Sequence, residues 1–153
     1  MQRSSSIVGV GLSFASMAFL YSVMLVGVYI SSSHQGLTCT DWPLCPNGFD
    51  LPSERHFYEH YHRVLVLITT GLIYATAAYS FRKAMPATKT AIIAAIVISV
   101  QIALGFFVVD TALHPIIVAT HLSTGILLFA MTLLTFLSLY GHARKKSQKS
   151  TTL

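Results

Sequence analysis

The stretch TAIIAAIVISVQIALGFFVV, residues 90–109, decides the fold of this chain because it carries no charged side chain. Its length matches the roughly 20 residues that an α-helix needs to cross the hydrocarbon core of a bilayer. Three further apolar stretches lie at residues 7–30, 61–81 and 116–140. We therefore predict an all-α, polytopic membrane protein, in which residues 1–153 form one four-helix transmembrane bundle.

The composition of the whole chain agrees with a membrane protein. Only 10% of the residues are charged, which is too few for the surface of an ordinary soluble protein. The first apolar stretch follows Arg3 and resembles a secretory signal. It is too long for one and has no convincing small-residue cleavage site, so we interpret it as a true span.

The orientation of the bundle is predicted from its cations, which lie on one side of the four spans. They are Arg3, Arg82, Lys83, Lys89, Arg144, Lys145, Lys146 and Lys149. Cytoplasmic loops of membrane proteins are rich in lysine and arginine, so both termini are expected to be cytoplasmic and loop 31–56 to lie outside. Basic loops without a transit-like leader favour the plasma membrane of a prokaryote.

The acidic residues Asp41, Asp50, Glu54 and Asp110 lie on the opposite side, so the net charge of +5 reflects topology. The basic tail, residues 141–153, is interpreted as a topology anchor near lipid headgroups. We expect no nucleic-acid partner.

The two cysteines, Cys39 and Cys45, lie close together in the outer loop. On an oxidising face such a pair can close a disulfide, and the short loop is expected to leave that disulfide accessible to thiol exchange. A structural staple and a redox-active or cofactor-handling pair both remain open. A metal site is less favoured, because two sulfurs without a nearby histidine pattern do not complete tetrahedral zinc.

Two histidines, His62 and His121, lie at matching depth in the second and fourth spans. If the second span begins near Phe57 and the fourth near Pro115, each histidine lies about 8 to 9 Å inside its span at the rise of an α-helix. An imidazole in hydrocarbon needs a partner, and two facing imidazoles in a helical bundle suit the axial positions of a haem iron. The other histidines are expected at the interface or outside the core, and His60 points about 160° away from His62 on the same helix. These are His34, His56, His60, His114 and His142.

Near this pair, Glu59 lies one turn before His62, where a carboxylate can accept a proton. The alternative is an interfacial acid that caps the helix or pairs with Arg63. Arg63 itself either snorkels to the outer surface or holds a haem propionate.

In the third span, Gln101 is a polar residue in an apolar run, and Gly105 follows one turn later. The amide needs a partner, either a neighbouring helix or a ring substituent or quinone inside the bundle. Gly125, one turn after His121, either lets a ring approach the backbone or allows tight helix packing.

Taken together, the segments LTCTDWPLCPNG (37–48), EHYHR (59–63) and HPIIVATHLSTG (114–125) resemble the haem A synthase family, in particular its amino-terminal half. The run QIALGFFVV (101–109) is also similar, so the likeness extends over most of the chain.

The resemblance implies oxidation of the C8 methyl group of haem O to a formyl group, which yields haem A for terminal oxidases. The oxygen would come from water, and the electrons would pass to a quinone or another acceptor. By analogy His62 and His121 flank the iron, Glu59 lies beside the reacting edge, and Cys39 and Cys45 form the outer pair. Haem O synthase is an expected partner.

The chain departs from the family in one respect, because the usual member joins two such halves, one for substrate and one for a haem B cofactor. This chain corresponds to one half. A single bis-histidine site does not hold both haems, so we expect a homo-oligomer.

Two other functions compete with this interpretation. A bis-histidine b-type cytochrome would carry electrons with the same histidines and leave Glu59 without a role. A membrane thiol oxidase, like the four-span quinone reductases, would use outer cysteines, but that family relies on two cysteine pairs and this chain has one.

Overall fold

The computed structural model describes residues 2–39, 41–43, 45–46, 48, 50 and 52–151. Thr40, Leu44 and Asn47 of the loop motif, and the side chains of Arg3 and Lys149, lie outside this description. The chain forms α1 (Gln2–Ser32), α2 (Phe57–Arg82), α3 (Thr88–Asp110) and α4 (Pro115–Thr151), with a short 3-10 helix (Glu54–His56) before α2. The described residues contain no β-strand.

All four helices are long and apolar enough to cross a membrane, which confirms the predicted all-α, four-span fold. Large apolar side chains such as Phe14, Phe81 and Ile96 remain exposed on the outside of the bundle. An apolar exterior of this kind is suited to lipid, since lipid tails are as apolar as the side chains that face them.

Two helices extend beyond the predicted spans. α2 begins at Phe57 and not near residue 61, so Glu59, His60 and His62 share one helix. α4 continues past residue 140 to Thr151, so the basic tail is helical. Hydropathy marks where a helix meets hydrocarbon, and the alanine, lysine and arginine of the tail are good helix formers that continue the helix in water.

The first three helices end in the same way. A residue just after each helix adopts a left-handed conformation, and the next N–H donates back to the carbonyl five residues earlier, a Schellman-type end. The left-handed residues are His34 (φ 58°), Ala84 (φ 47°) and Ala112 (φ 49°). The corresponding bonds are Gln35 N to Ile30 O (3.0 Å), Met85 N to Ser80 O (2.9 Å) and Leu113 N to Val108 O (2.9 Å).

The helices pack in the cyclic order α1, α2, α3, α4, so α2 and α4 lie diagonally across the bundle. The middle of the bundle is an apolar cluster that includes Leu20, Ile73, Ile98 and Leu128. A second cluster, Met85, Ala87 and Leu139, lies where the α2–α3 turn meets α1 and the late part of α4. We call this the basic end, and the opposite end the cysteine end.

Between the two clusters the bundle is packed through small hydroxyl residues. The hydroxyls of Ser16 and Thr76 lie 3.0 Å apart across α1 and α2, and each also donates to its own helix backbone. Thr135 donates to Thr90 across α4 and α3 at 3.0 Å. The cavity beside them has a volume of about 10 Å³, room for about one water molecule. Close packing of small residues is the usual way that membrane helices associate, so this half of the bundle serves as scaffold.

Candidate functional site

His62 projects from α2 against α1, at the cysteine end. A methyl group added to the Cα of Gly27 would lie only 3.0 Å from Cε1 of the His62 ring, so glycine permits this approach. The ring also lies close enough to the backbone of Val23, one turn before Gly27, to interact with it. Its Nδ1 is buried and has no hydrogen-bond partner among the described residues. α1 therefore supports one face of the imidazole and leaves one nitrogen open.

His121 projects from α4 against α3, as His62 projects from α2 against α1. A methyl group added to Gly105 would lie 3.6 Å from Cε1 of the His121 ring. The ring lies close enough to the backbone of Gln101, again one turn before the glycine, to interact with it. Its Nδ1 is likewise buried, with no partner in the part of the chain that the structure describes.

The two histidines thus occupy matching positions in two hairpins. α1 ends at Ser32 and α3 at Asp110, so Gly27 and Gly105 lie equally far from the ends of their helices. Since α2 and α4 are diagonal, the two imidazoles belong to opposite corners of the bundle, yet they are close enough to interact electrostatically. The structure therefore brings together the two residues that the sequence singled out.

Two partly buried imidazoles, each with a buried Nδ1 free of hydrogen bonds, are suited to a haem, whose iron needs only two ligands from the protein. Among the described residues, no group of three or more histidine, cysteine or acidic side chains could hold a bare metal ion.

Gln101 finds its partner in the neighbouring helix. Its Nε2 donates to the backbone oxygen of His121 at 2.8 Å, and a methyl group on Gly125 would lie 3.1 Å from that nitrogen. Gly125 therefore makes room for the Gln101 amide. This contact agrees with the alternative that Gly125 allows tight helix packing. The Oε1 atom of Gln101 is buried without a partner among the residues described. Contact of Gln101 or Gly125 with the ring of a bound haem stays a prediction.

Glu59 lies one turn before His62, and only 5% of it is exposed. Its Oε2 accepts hydrogen bonds from the Thr38 hydroxyl and the Cys39 N–H, both at 2.9 Å. Its Oε1 accepts from Arg63 at 2.6 Å. The predicted alternative of a Glu59–Arg63 pair is thus present. The carboxylate also attaches the loop that carries Thr38 and Cys39 to α2.

Arg63 completes this attachment from the same helix. Its guanidinium donates to the Cys39 carbonyl at 2.8 Å and to the Asp41 carbonyl. Only 11% of the Arg63 side chain is exposed, so its charge is balanced by Glu59 and not by solvent. A role of Arg63 in holding a propionate stays a prediction, as does catalysis by Glu59.

Cys39 and Cys45 form a disulfide in this loop. They are 0% and 3% exposed, so the expectation that the bond is accessible to exchange is wrong for this conformation. A thiol must approach the sulfur directly, and here the folded loop covers both sulfurs. Burial favours the structural staple over the redox-active pair.

The loop that carries the disulfide, residues 33–53, is called the cysteine loop below. Besides its bonds to α2, it contacts the second hairpin at two points. The ring of Trp42 meets that of Phe106 on α3 edge to face, with centroids 5.6 Å apart. A methyl group on Gly36 would lie 3.1 Å from the Leu113 side chain, in the α3–α4 turn. The cysteine loop therefore spans both hairpins at the end of the bundle nearest the histidines.

Sequence reasoning missed Gly27 and Val23, because the first span carries no histidine that would single out its neighbours. The available signal was the spacing Gln101 to Gly105 in α3, which Val23 to Gly27 repeats in α1. His60 is buried on another face of α2, and its Nδ1 has no partner among the described side chains. His34, His114 and His142 are exposed, as expected for residues outside the core.

Comparison with known proteins gives a consistent result. Residues 48–153 match the model of the COX15-CtaA family, described as cytochrome oxidase assembly protein. The heme A synthase of Shewanella oneidensis is 26% identical over 141 residues, which cover 80% of this chain and 43% of that protein. The heme A synthase of Halalkalibacterium halodurans is 30% identical over 121 residues, covering 72% of this chain and 39% of that protein.

A third relative is the protoheme IX farnesyltransferase of Haloarcula marismortui, 29% identical over 121 residues. That match covers 78% of this chain and 26% of the relative. The chain spans less than half the length of each of these three proteins.

Proposed function

We propose, from the premise that this chain belongs to the COX15-CtaA family of haem A synthases, that it oxidises the C8 methyl group of haem O to a formyl group. One methyl group and one water molecule give one formyl group, four protons and four electrons. The electrons pass to an acceptor such as a quinone. The observation that carries the proposal is the pair of partly buried imidazoles, His62 and His121, in matching positions and each with a buried Nδ1 that has no hydrogen-bond partner among the described residues.

His62 and His121 would hold the haem iron, which supplies the redox chemistry when it is bound. Gly27 on α1 permits the close approach of the His62 ring, and the apolar cluster beneath the two histidines excludes water from the middle of the bundle. A dry site strengthens ligand and charge interactions, because water no longer competes for them.

Glu59 is proposed as the proton acceptor for the water or for a hydroxymethyl form of the substrate. Its Oε1 receives one hydrogen bond from Arg63, whereas its Oε2 receives two from the cysteine loop. Oε1 thus retains more capacity to take a proton. The same carboxylate anchors the loop, so the two roles must be separated by experiment.

We also propose that identical copies assemble into a homo-oligomer that provides sites for haem O and for a haem B cofactor, because a single bis-histidine site does not hold both haems. The distribution of lysine and arginine supports a plasma-membrane protein of a prokaryote, with the cysteine loop outside. The likeness to a protein named protoheme IX farnesyltransferase supports a link to the enzyme class that delivers haem O.

The proposal is tested by expressing the chain with a source of haem O, purifying it in detergent, and identifying the extracted haems by chromatography and mass. We expect haem A or its hydroxymethyl precursor in the parent protein and in the control His142→Ala. Haem B alone in the parent would contradict the synthase and favour the b-type electron carrier. The absence of all haem, with the disulfide cycling against a quinone, would instead favour the thiol oxidase.

The role of Glu59 is tested by Glu59→Gln in the same assay. The amide keeps an oxygen for the loop donors but is a far weaker base. We expect bound haem at the parent level and loss of the formyl product, with accumulation of the hydroxymethyl form. Full formyl production by this variant would remove Glu59 from the chemistry and leave it as the anchor of the cysteine loop.

A further inference from the structure

We infer that Gly27 is a positioning residue for His62, and that the corresponding Gly105 does not constrain His121 in the same way. This inference rests on the proposed function in so far as His62 is taken to be a ligand of haem iron. It concerns how α1 sets the position of that ligand, so its structural part is testable with no haem present.

The basis is a contact that is tighter in one hairpin than in the other. A methyl group on Gly27 would lie 3.0, 3.6 and 3.9 Å from three atoms of the His62 ring: Cε1, Nδ1 and Nε2. A methyl group on Gly105 would lie 3.6 Å from Cε1 of His121, the one described atom within 4 Å. The first glycine thus supports much of an imidazole ring, whereas the second touches one atom at an ordinary van der Waals distance.

The ring of His62 has little freedom to yield. It is rigid, it is attached to the backbone of α2, and it interacts with the backbone of Val23 one turn before Gly27. A methyl group at position 27 must therefore displace the ring or α1 by a few tenths of an ångström, and either change disturbs the interaction with Val23. At position 105 a methyl group fits without displacing the ring. Groups that contact a metal-binding side chain and fix its orientation commonly change the metal affinity tenfold or more when they are altered.

The chain offers matched controls for this comparison. Gly11 lies on α1 and Gly71 on α2, and a methyl group at either would meet no described atom within 4 Å. Gly11→Ala and Gly71→Ala therefore apply the same change to the same two helices away from the imidazole. Gly105→Ala applies it at the equivalent place in the other hairpin.

The experiment titrates each detergent-purified variant with haem B and records the Soret band and the electron paramagnetic resonance of the ferric complex. We expect Gly27→Ala to bind haem B about tenfold more weakly and to shift the low-spin g values, because the plane of the His62 ring has moved. Gly105→Ala, Gly11→Ala and Gly71→Ala should bind as the parent does. Equal affinity and an unchanged spectrum in Gly27→Ala would overturn the inference, while the proposed function would stand.

A second readout needs no haem. In protein labelled with ¹⁵N-histidine, the imidazole signals of His62 are assigned by their loss in His62→Ala. We expect Gly27→Ala to shift them and Gly105→Ala to leave them in place. If the parent fails to bind haem B but this shift occurs, the proposed function fails and the positioning contact stands. Unchanged His62 signals in Gly27→Ala would overturn the contact.

Should Gly27→Ala fail to accumulate in the membrane, the double variant Gly27→Ala with His62→Ala decides the cause. The clash is with the ring, so its removal should restore accumulation to the level of His62→Ala alone. Failure of the double variant to accumulate would show that the fault lies elsewhere on α1, and would overturn the inference.

Discussion

The two hairpins of this bundle, α1–α2 and α3–α4, place a histidine in the same way but close their cysteine ends differently. In both, the ring lies near a glycine of the preceding helix and interacts with the backbone one turn before it, although the approach is closer at Gly27 than at Gly105. The first hairpin is joined by the long cysteine loop, the second by the short turn between Asp110 and Pro115. The placement of the histidines is therefore a property of helix packing and does not depend on the length of the connection.

The hairpins also differ in the polar groups that lie beside the histidines. In the first, the ionised pair Glu59 and Arg63 is buried and holds the cysteine loop. In the second, the neutral amide of Gln101 donates to the backbone oxygen of His121. Only the first hairpin thus carries a buried carboxylate able to take part in proton transfer, although both carry a candidate ligand.

The largest expected effect tests the likeness of the two histidines. His62→Ala and His121→Ala should each lose bound haem while the protein still inserts in the membrane, because each removes one of two axial ligands. Haem content relative to protein is measured by absorbance after purification, with His142→Ala as a matched control at the basic end. If one of the two variants retains the parent haem content, the hairpins are not equivalent in ligation.

The next effect sharpens the difference in charge. Glu59→Ala leaves the buried Arg63 guanidinium without its carboxylate, and should lower the free energy of unfolding by about 3 kcal/mol. Gln101→Leu removes one neutral hydrogen bond and should cost about 1 kcal/mol. Denaturation in mixed detergent, followed by circular dichroism, measures both. A larger loss for Gln101→Leu would reverse the comparison.

A third effect concerns the disulfide, which only the first hairpin possesses. Replacing Cys39 and Cys45 together by serine should lower the free energy of unfolding by about 2 kcal/mol, as expected for a bridge that closes a short loop. In the folded parent, reduction should be slow because both cysteines are buried. Thiol labelling under mild reductant measures the rate of this reduction. Rapid labelling of the folded protein would show that the disulfide is accessible to exchange after all.

The smallest effect tests a feature that the hairpins share. His34 follows α1 and Ala112 follows α3, both in the left-handed conformation that glycine adopts without strain. His34→Gly and Ala112→Gly should each stabilise the protein by about 1 kcal/mol. Thermal unfolding in detergent would show the two gains, and a loss at either site would mean that its side chain contributes contacts worth more than the strain.

Much of this architecture could be predicted from the sequence. The four spans and the placement of His62 and His121 within them follow from apolar length and from the cost of polar groups in hydrocarbon. The possibility of a disulfide follows from two cysteines close together in a loop on an oxidising face. The contacts of Glu59 were predicted only as alternatives, because a residue at a helix end can reach solvent, a neighbouring turn or a loop. The loop contacts come from Thr38 and Cys39, whose positions depend on a chain path that no periodic pattern describes.

The sequence by itself determined how many helices cross the membrane and which histidines lie at equal depth, since hydropathy and spacing along the chain are enough for both. Only the tertiary structure decided that Gly27 supports His62, that Gly125 accommodates Gln101, and that the cysteine loop covers its own disulfide. The physical reason is that contacts between helices depend on the rotation and relative height of each helix. The packing of side chains determines this rotation and height, and the apolar pattern of a single span does not specify either of them.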